Sequence, residues 1–387
     1  MTTITSPKTN LNLVSSQWAS RPNDERFLSV ADLTDFVRTR RSHTGERTLP
    51  IRELVDKLAV TDNVKGEFYI GDSRLQLTNY AFGQLASRVK APAGYLRTLP
   101  PLLAMNNLQW GLAHPPAEYD QDTKVLVRVP FTTADRSIPG QVASFTSSTY
   151  GRIYDIDVAE KVEQFVTANP NWQVPAQMLG RIFGEDYAPE NANWEVTKSS
   201  TTLYASDRDV FMFLVDPREI MIPGDPSPKF RGFIVWNSEV GKCVMGVMAF
   251  LLEGVCCNRI LWGVSDINKV LIRHTSGGPD RFREEVAPAL KAYGEGSVGT
   301  LVEGIVKAKT FELADTKADA LKFLVERGFT QTMAKLGMER AEQYGDGNPL
   351  SAWNIVEGIT DAARSITYQD DRFAIEMQAG KLLDLVK

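Results

Sequence analysis

Residues 230–278 constrain the fold more than any other part of the chain, because they thread polar and charged groups between apolar runs of strand length. Asn237, Ser238, Glu239, Asn258, Arg259, Arg273 and His274 all fall inside this stretch. An unpaired charge is expensive to bury. These side chains therefore either border a site or pair with one another.

The surrounding pattern predicts strands. KVLVRVP at 124–130 alternates, with Val125, Val127 and Val129 on one face and Leu126 and Arg128 on the other. Similar runs occupy 141–147, 201–206, 210–215, 232–236, 242–249, 259–264 and 270–274. Short turns between strands of this length favour antiparallel pairing. Asn237 to Gly241 reads as such a turn, with Gly241 supplying a positive φ. Phe68-Tyr69-Ile70 and Leu75 with Leu77 form a hairpin around Gly71-Asp72.

Helical spacing appears elsewhere. A short helix over 32–41 ends in Arg38, Arg40 and Arg41, and Thr78 is placed to cap a helix over 79–89. Pro92 opens further short helical segments, and 157–168 has Val158, Val162 and Phe165 in register. Beyond Pro279, helices are expected over 283–293, 297–309, 315–328, 331–343, 351–363 and 371–385. The expected plan is a flexible arm (1–25), a mostly helical N-terminal region (26–120), a β-rich core (121–278) and a C-terminal helical region (279–387). That is an α+β protein with a central, largely antiparallel β-sheet core, an N-terminal helical subdomain and a C-terminal helical layer.

A hydrophobic fraction of 43% and a charged fraction of 24% over 387 residues suit a soluble globular protein that needs no disulfide or metal staple. Cys243, Cys256 and Cys257 are odd in number and two are adjacent, which points to a reduced, cytoplasmic setting. The first residues lack the pattern of a secretory signal. The longest apolar run, 244–257, is broken by Glu253 and falls short of the roughly 20 residues a membrane span requires. No membrane partner is expected.

Motif order adds a resemblance. LTNYAFGQLASRVKAPAGYLRTLP at 77–100 is followed by SSTYGRIYD, WNSEVG, VCCNRI, IRHTSG and SAWNIVEGITD at 351–361. This series is similar to a phage- and plasmid-borne family catalogued mainly as a domain of unknown function, which includes proteins of the YafZ type. Ala362-Ala363-Arg364 stands where many of its members carry an acidic-histidine pair. The resemblance implies a mobile-element product in a bacterial cytoplasm, with a β-rich core comparable to strand-annealing proteins. It carries no site with it.

Catalytic chemistry finds little support in the residues. His43, His114 and His274 lie far apart, and the cysteines lack metal-ligand spacing, so no metal and no cofactor is expected. No phosphate-loop or dinucleotide fingerprint occurs. Asp155, Asp157, Asp207, Asp209 and Asp216 would suit a Mg²⁺-dependent nuclease, yet these are also capping and turn positions. Cys256 and Cys257 follow an apolar run and read as core.

Nucleic-acid binding fits better. The net charge of −5 argues against a wholly basic binder and leaves room for a local patch. Over 231–283 seven Lys/Arg face four Asp/Glu, with Trp236, Trp262, Tyr150 and Tyr154 interleaved or nearby. Cations tracking a backbone and rings stacking on bases are how single strands are held. Arg231, Lys242, Arg259, Lys269 and Arg273 are the expected phosphate contacts, with Trp236 and Trp262 stacking. The leading expectation is a self-associating single-stranded DNA-binding protein of annealing or recombination type, without catalytic residues. The alternative is a protein-interaction factor acting on a host defence or replication protein.

Overall fold

A computed structural model describes residues 22–60, 68–70, 75–115, 121–128, 140–175, 177, 196–198, 201–225, 228–253, 259–260, 269–296, 298–343, 347–366 and 369–386. In chain order the first strands are β1 (Arg26–Phe27), β2 (Thr44–Pro50), β3 (Leu58–Val60), β4 (Phe68–Ile70), β5 (Leu75–Leu77), β6 (Asp122–Arg128) and β7 (Gln141–Ser147). The later ones are β8 (Leu203–Ala205), β9 (Val210–Val215), β10 (Lys229–Asn237), β11 (Met245–Glu253), β12 (Arg259–Ile260) and β13 (Lys269–Ile272). The helices before β8 are α1 (Val30–Ser42), α2 (Asn79–Arg88), α3 (Ala93–Leu96), α4 (Pro101–Ala113) and α5 (Asp155–Ala168). After β13 come α6 (Gly278–Glu295), α7 (Val298–Thr310), α8 (Lys317–Glu326), α9 (Gln331–Gln343), α10 (Ala352–Ala363) and α11 (Gln369–Leu383).

The α+β class holds, with the strands divided between two sheets. One is seven-stranded and antiparallel in the order β1-β8-β9-β10-β11-β12, with β13 also on β11. The other has six strands in the order β2-β6-β7-β5-β4-β3, antiparallel except where β5 meets β7. Residues 26–120 hold α1 to α4 and also supply β2, β3, β4 and β5, which join β6 and β7 in the second sheet. The strands are short there, three residues each in β3, β4 and β5, and give little alternation to read.

Every residue of β10 is buried, because the large sheet is covered on both faces. Phe233 and Val235 pack toward α1, α5 and α6, whereas Ile234 and Trp236 belong to a second cluster with Phe213, Met248 and Phe250. Trp236 lies directly opposite Gly246 on β11, and a Cβ added there would stand 2.1 Å from the indole. The missing side chain makes the slot that the ring fills. Gly241, in the turn between these strands, has φ +90°, the conformation its position in the sequence called for.

The C-terminal helices pack on the same molecule's large sheet. α10 is buried along its length except at Asp361, and Trp353 shares a core with Ile220, Leu251 and Ile260. Ser351 caps α10 by accepting from the Asn354 amide. Lys229 and Lys309 both pair with Asp225, at 2.9 and 2.7 Å, tying α7 to the start of β10. On the second sheet, α2, α3 and α4 cover one face through Phe82, Leu85, Leu96, Leu108 and Leu112. Thr78 caps α2 by accepting from the Ala81 amide, as its sequence position implies. Among the described residues no helix is long and apolar enough to cross a membrane.

Candidate functional site

The polar residues of the 237–241 turn pair with each other and with distant segments. Asn237, Ser238 and Glu239 are buried where the two sheets meet. Glu239 accepts from Arg128 at 2.7 Å and from the Asp155 amide at 3.1 Å. Asp155 accepts from Arg40 at 2.6 Å and from Asn237 at 2.7 Å. Arg152 donates to the Glu239 carbonyl, to Thr146, and at 2.5 Å to Glu46 on β2. The SSTYGRIYD and WNSEVG motifs therefore build one ionic junction between the sheets, with Glu239 at the N-terminal end of α5, where the helix dipole favours a carboxylate.

This junction divides its protons unequally. Burial opposes ionisation of Glu239, but Arg40 and Arg128 hold its carboxyl below the ordinary value. Burial, reinforced by the Glu239 charge, pushes Asp155 up to about 8 against the pull of Arg40 and Arg128. Beside the junction, His274 stacks on Tyr150 with ring centroids 5.0 Å apart, and burial holds its imidazole down to about 4.

The predicted phosphate contacts whose side chains are described fall in different settings. Arg231 is buried, pairs with Asp216 at 2.9 Å and donates to the Gly296 carbonyl at 3.0 Å. Trp236 is 9% exposed and, by strand alternation, lies on the opposite face of β10 from Arg231. Neither can reach a ligand from its position, which corrects their expected roles: the core and a buried carboxylate already hold them. Lys242 pairs with Asp209 at 2.8 Å, and Arg273 stands exposed just past β13. Arg259 and Lys269 pair through their backbones with Leu252 and Met248. Trp262, Asn258, Cys256 and Cys257 lie outside the described residues.

The nuclease aspartates are separately engaged. Asp155 is in the junction, Asp209 accepts from Tyr204, Ser206 and Lys242, and Asp216 accepts from Arg218 and Arg231. Among the described residues no group of three His, Cys, Asp or Glu converges to hold a metal ion.

A different surface has the character that the 231–283 charge count suggested. From Leu75 to Pro115, the segment that builds α2, α3 and α4, there is no Asp or Glu. The 48 acidic residues of the chain would place about five in a stretch of this length. Arg88, Lys90 and Arg97 lie in it, together with His114. Large side chains point outward from the same layer: Tyr95 is 59% exposed, Leu102 60% and Trp110 68%. Trp110 stacks on His114 with centroids 4.7 Å apart. Lys90 has φ +55° just past the end of α2, a left-handed position where glycine is the ordinary choice.

A groove of about 470 Å³ borders this layer, lined by Asn79, Tyr80, Gly83, Gln84, Ser87, Arg97 and, from across the sheet junction, Arg208. Arg97 donates to the Asn79 side chain and carbonyl, both at 2.9 Å, and lies over the Phe82 ring. Burial raises the Tyr80 hydroxyl above its ordinary value, so it remains a proton donor at neutral pH. The sequence signal for this surface is an absence, the long gap between carboxylates, which a count of cations does not register.

No protein-family model, curated protein or solved structure matches this chain. What the fold and surface define is an α+β protein of two sheets locked by a buried ionic junction, with an acid-free helical layer on the smaller sheet.

Proposed function

We propose that the protein binds single-stranded DNA along the α2, α3 and α4 layer, without catalytic turnover, in the service of annealing or recombination. The observation that carries this reading is the run from Leu75 to Pro115, which holds Arg88, Lys90 and Arg97 and no carboxylate, beside the exposed rings of Tyr95 and Trp110. A single strand offers phosphates and unstacked bases together, and this surface offers cations and rings together. The role suits the mobile-element family that the motif order resembles, and a ring or filament of copies would extend the surface along a strand.

Fluorescence anisotropy with labelled single-stranded and duplex oligonucleotides tests the proposal. Tight, salt-sensitive binding that prefers the single strand is expected, and Trp110→Ala should weaken it by about 1–3 kcal/mol. Absence of binding at low salt would end the nucleic-acid reading. A second reading, contact with another protein, is favoured by Leu102 and Leu103, aliphatic and exposed in the same layer, which a nucleic acid does not require. Light scattering separates the two: Leu102→Ser would dissociate a protein-protein assembly and leave strand binding in place.

A further inference from the structure

We propose that the groove between α2 and the Arg208 turn seats a phosphate of the bound strand, gripped by Arg97 on one wall and Arg208 on the other. The inference rests on the single-strand reading above and adds a site to it. Arg208 lies outside the acid-free segment, on the far side of the junction between the sheets, so the cation count of that segment does not include it.

An exposed side chain is firmly presented here. The Arg208 carbonyl accepts from the buried Ser238 hydroxyl at 2.6 Å, and the Asp207 carbonyl accepts from the buried Arg128 guanidinium at 2.7 Å. The Arg208 amide donates to Ser206 Oγ at 3.0 Å. Three hydrogen bonds thus fix the backbone of a turn whose arginine reaches into solvent. Arg97 is aimed in the same way by its two bonds to Asn79. Guanidinium groups held in place lose less freedom when they clamp an oxyanion.

The bonds to Asn79 use Nε and Nη2 of Arg97 and leave Nη1 for a ligand. Among the described residues the Arg208 guanidinium has one exposed contact, with Asp207, Nε to Oδ1 at 3.3 Å, which leaves both terminal nitrogens. Tyr80 and Ser87 add hydroxyls, and no carboxylate lines the groove. The first-turn amides of α2 at Asn79 and Tyr80 have no intrahelical acceptor, and the helix dipole there favours an anion.

Gln84, in the floor, donates to the Val240 carbonyl at 2.8 Å and accepts from the Phe145 amide at 3.0 Å, so it joins α2 to the inter-sheet turn and to β7. The two walls are held in register before any ligand arrives. A phosphate with its sugar fits the space.

Anisotropy titrations of an oligothymidylate against salt distinguish the outcomes, with thermal melting to confirm that each variant is folded. Arg208→Ala should lower affinity on the order of tenfold and reduce the slope of log K against log salt by about 0.7, one phosphate contact on a single strand. Arg208→Lys should restore part of both. Asp207→Ala, which releases the same guanidinium, should strengthen binding, a change opposite in sign to any general loss of structure. If Arg208→Ala binds with the wild-type affinity and slope while Trp110→Ala is weakened, the phosphate seat is wrong and the helical layer stands. If the wild type fails to bind, both proposals fall.

Discussion

Residues 231–283 and residues 75–115 both carry surplus positive charge, and the fold treats them in opposite ways. In the first, Arg231 and Lys242 are neutralised by Asp216 and Asp209, carboxylates that precede the segment in the chain. In the second, Arg97 is held by an amide and a carbonyl of Asn79, and the segment has no acid of its own. The two tryptophans divide in the same way: Trp236 fills the slot above Gly246, and Trp110 stands 68% exposed. A local charge tally sees only what lies inside its window. The strand ladder brings counter-ions from outside it.

That contrast can be broken most forcefully at the junction. Glu239→Gln would leave Arg128 buried without its carboxylate, while Arg40 keeps Asp155, and it should cost about 3–5 kcal/mol of stability. Urea denaturation would measure the loss, and a change below about 1 kcal/mol would mean the junction does not hold the sheets together. Trp236→Ala should cost a similar amount, about 3–5 kcal/mol, through an emptied core slot. Trp110→Ala should change stability by no more than about 0.5 kcal/mol, as surface substitutions do. Equal destabilisation by the two would erase the distinction between them.

Smaller effects sharpen the comparison. Lys90→Gly relieves a left-handed lysine and should stabilise the fold by about 1 kcal/mol while weakening strand binding. A variant that gained stability and kept full affinity would remove Lys90 from the interface. A pH dependence gives a further check. Burial holds His274 neutral down to about pH 4, whereas an unfolded histidine protonates near 6.5. The unfolded chain binds the extra proton across that window, so this contribution is complete above about pH 6.5 and is lost as the pH falls toward 4. His274→Gln should flatten that part of the stability curve, and an unchanged slope would show that the ring is already solvated.

Much of the fold was legible because its signals are local. Thr78 and Ser351 sit where capping residues belong, β7, β9 and α9 follow their apolar periods to the residue, and Gly241 turns as its neighbours require. The division into two sheets was not legible. It depends on β5 pairing in parallel with β7 and on β2 reaching β6, contacts between segments far apart in the chain. The fate of Asn237 and Glu239 was half legible: their cost if unpaired showed that they needed partners. Nothing nearby indicated that those partners would be Arg40, Arg128 and Asp155. Arg231 and Trp236 misled for the same reason, since alternation places them on opposite faces of one strand and burial follows from layers that the strand itself does not encode.

The central claim is that strand binding belongs to the acid-free layer and not to the sheet. Its most direct test is the salt dependence of oligothymidylate binding by three proteins: wild type, a triple variant carrying Arg88→Glu, Lys90→Glu and Arg97→Glu, and a double variant carrying Lys242→Ala and Arg273→Ala. The account predicts that the triple variant loses binding and its salt slope together, while the double variant retains both. Binding that survives in the triple variant and disappears in the double would contradict it and return the interface to the sheet.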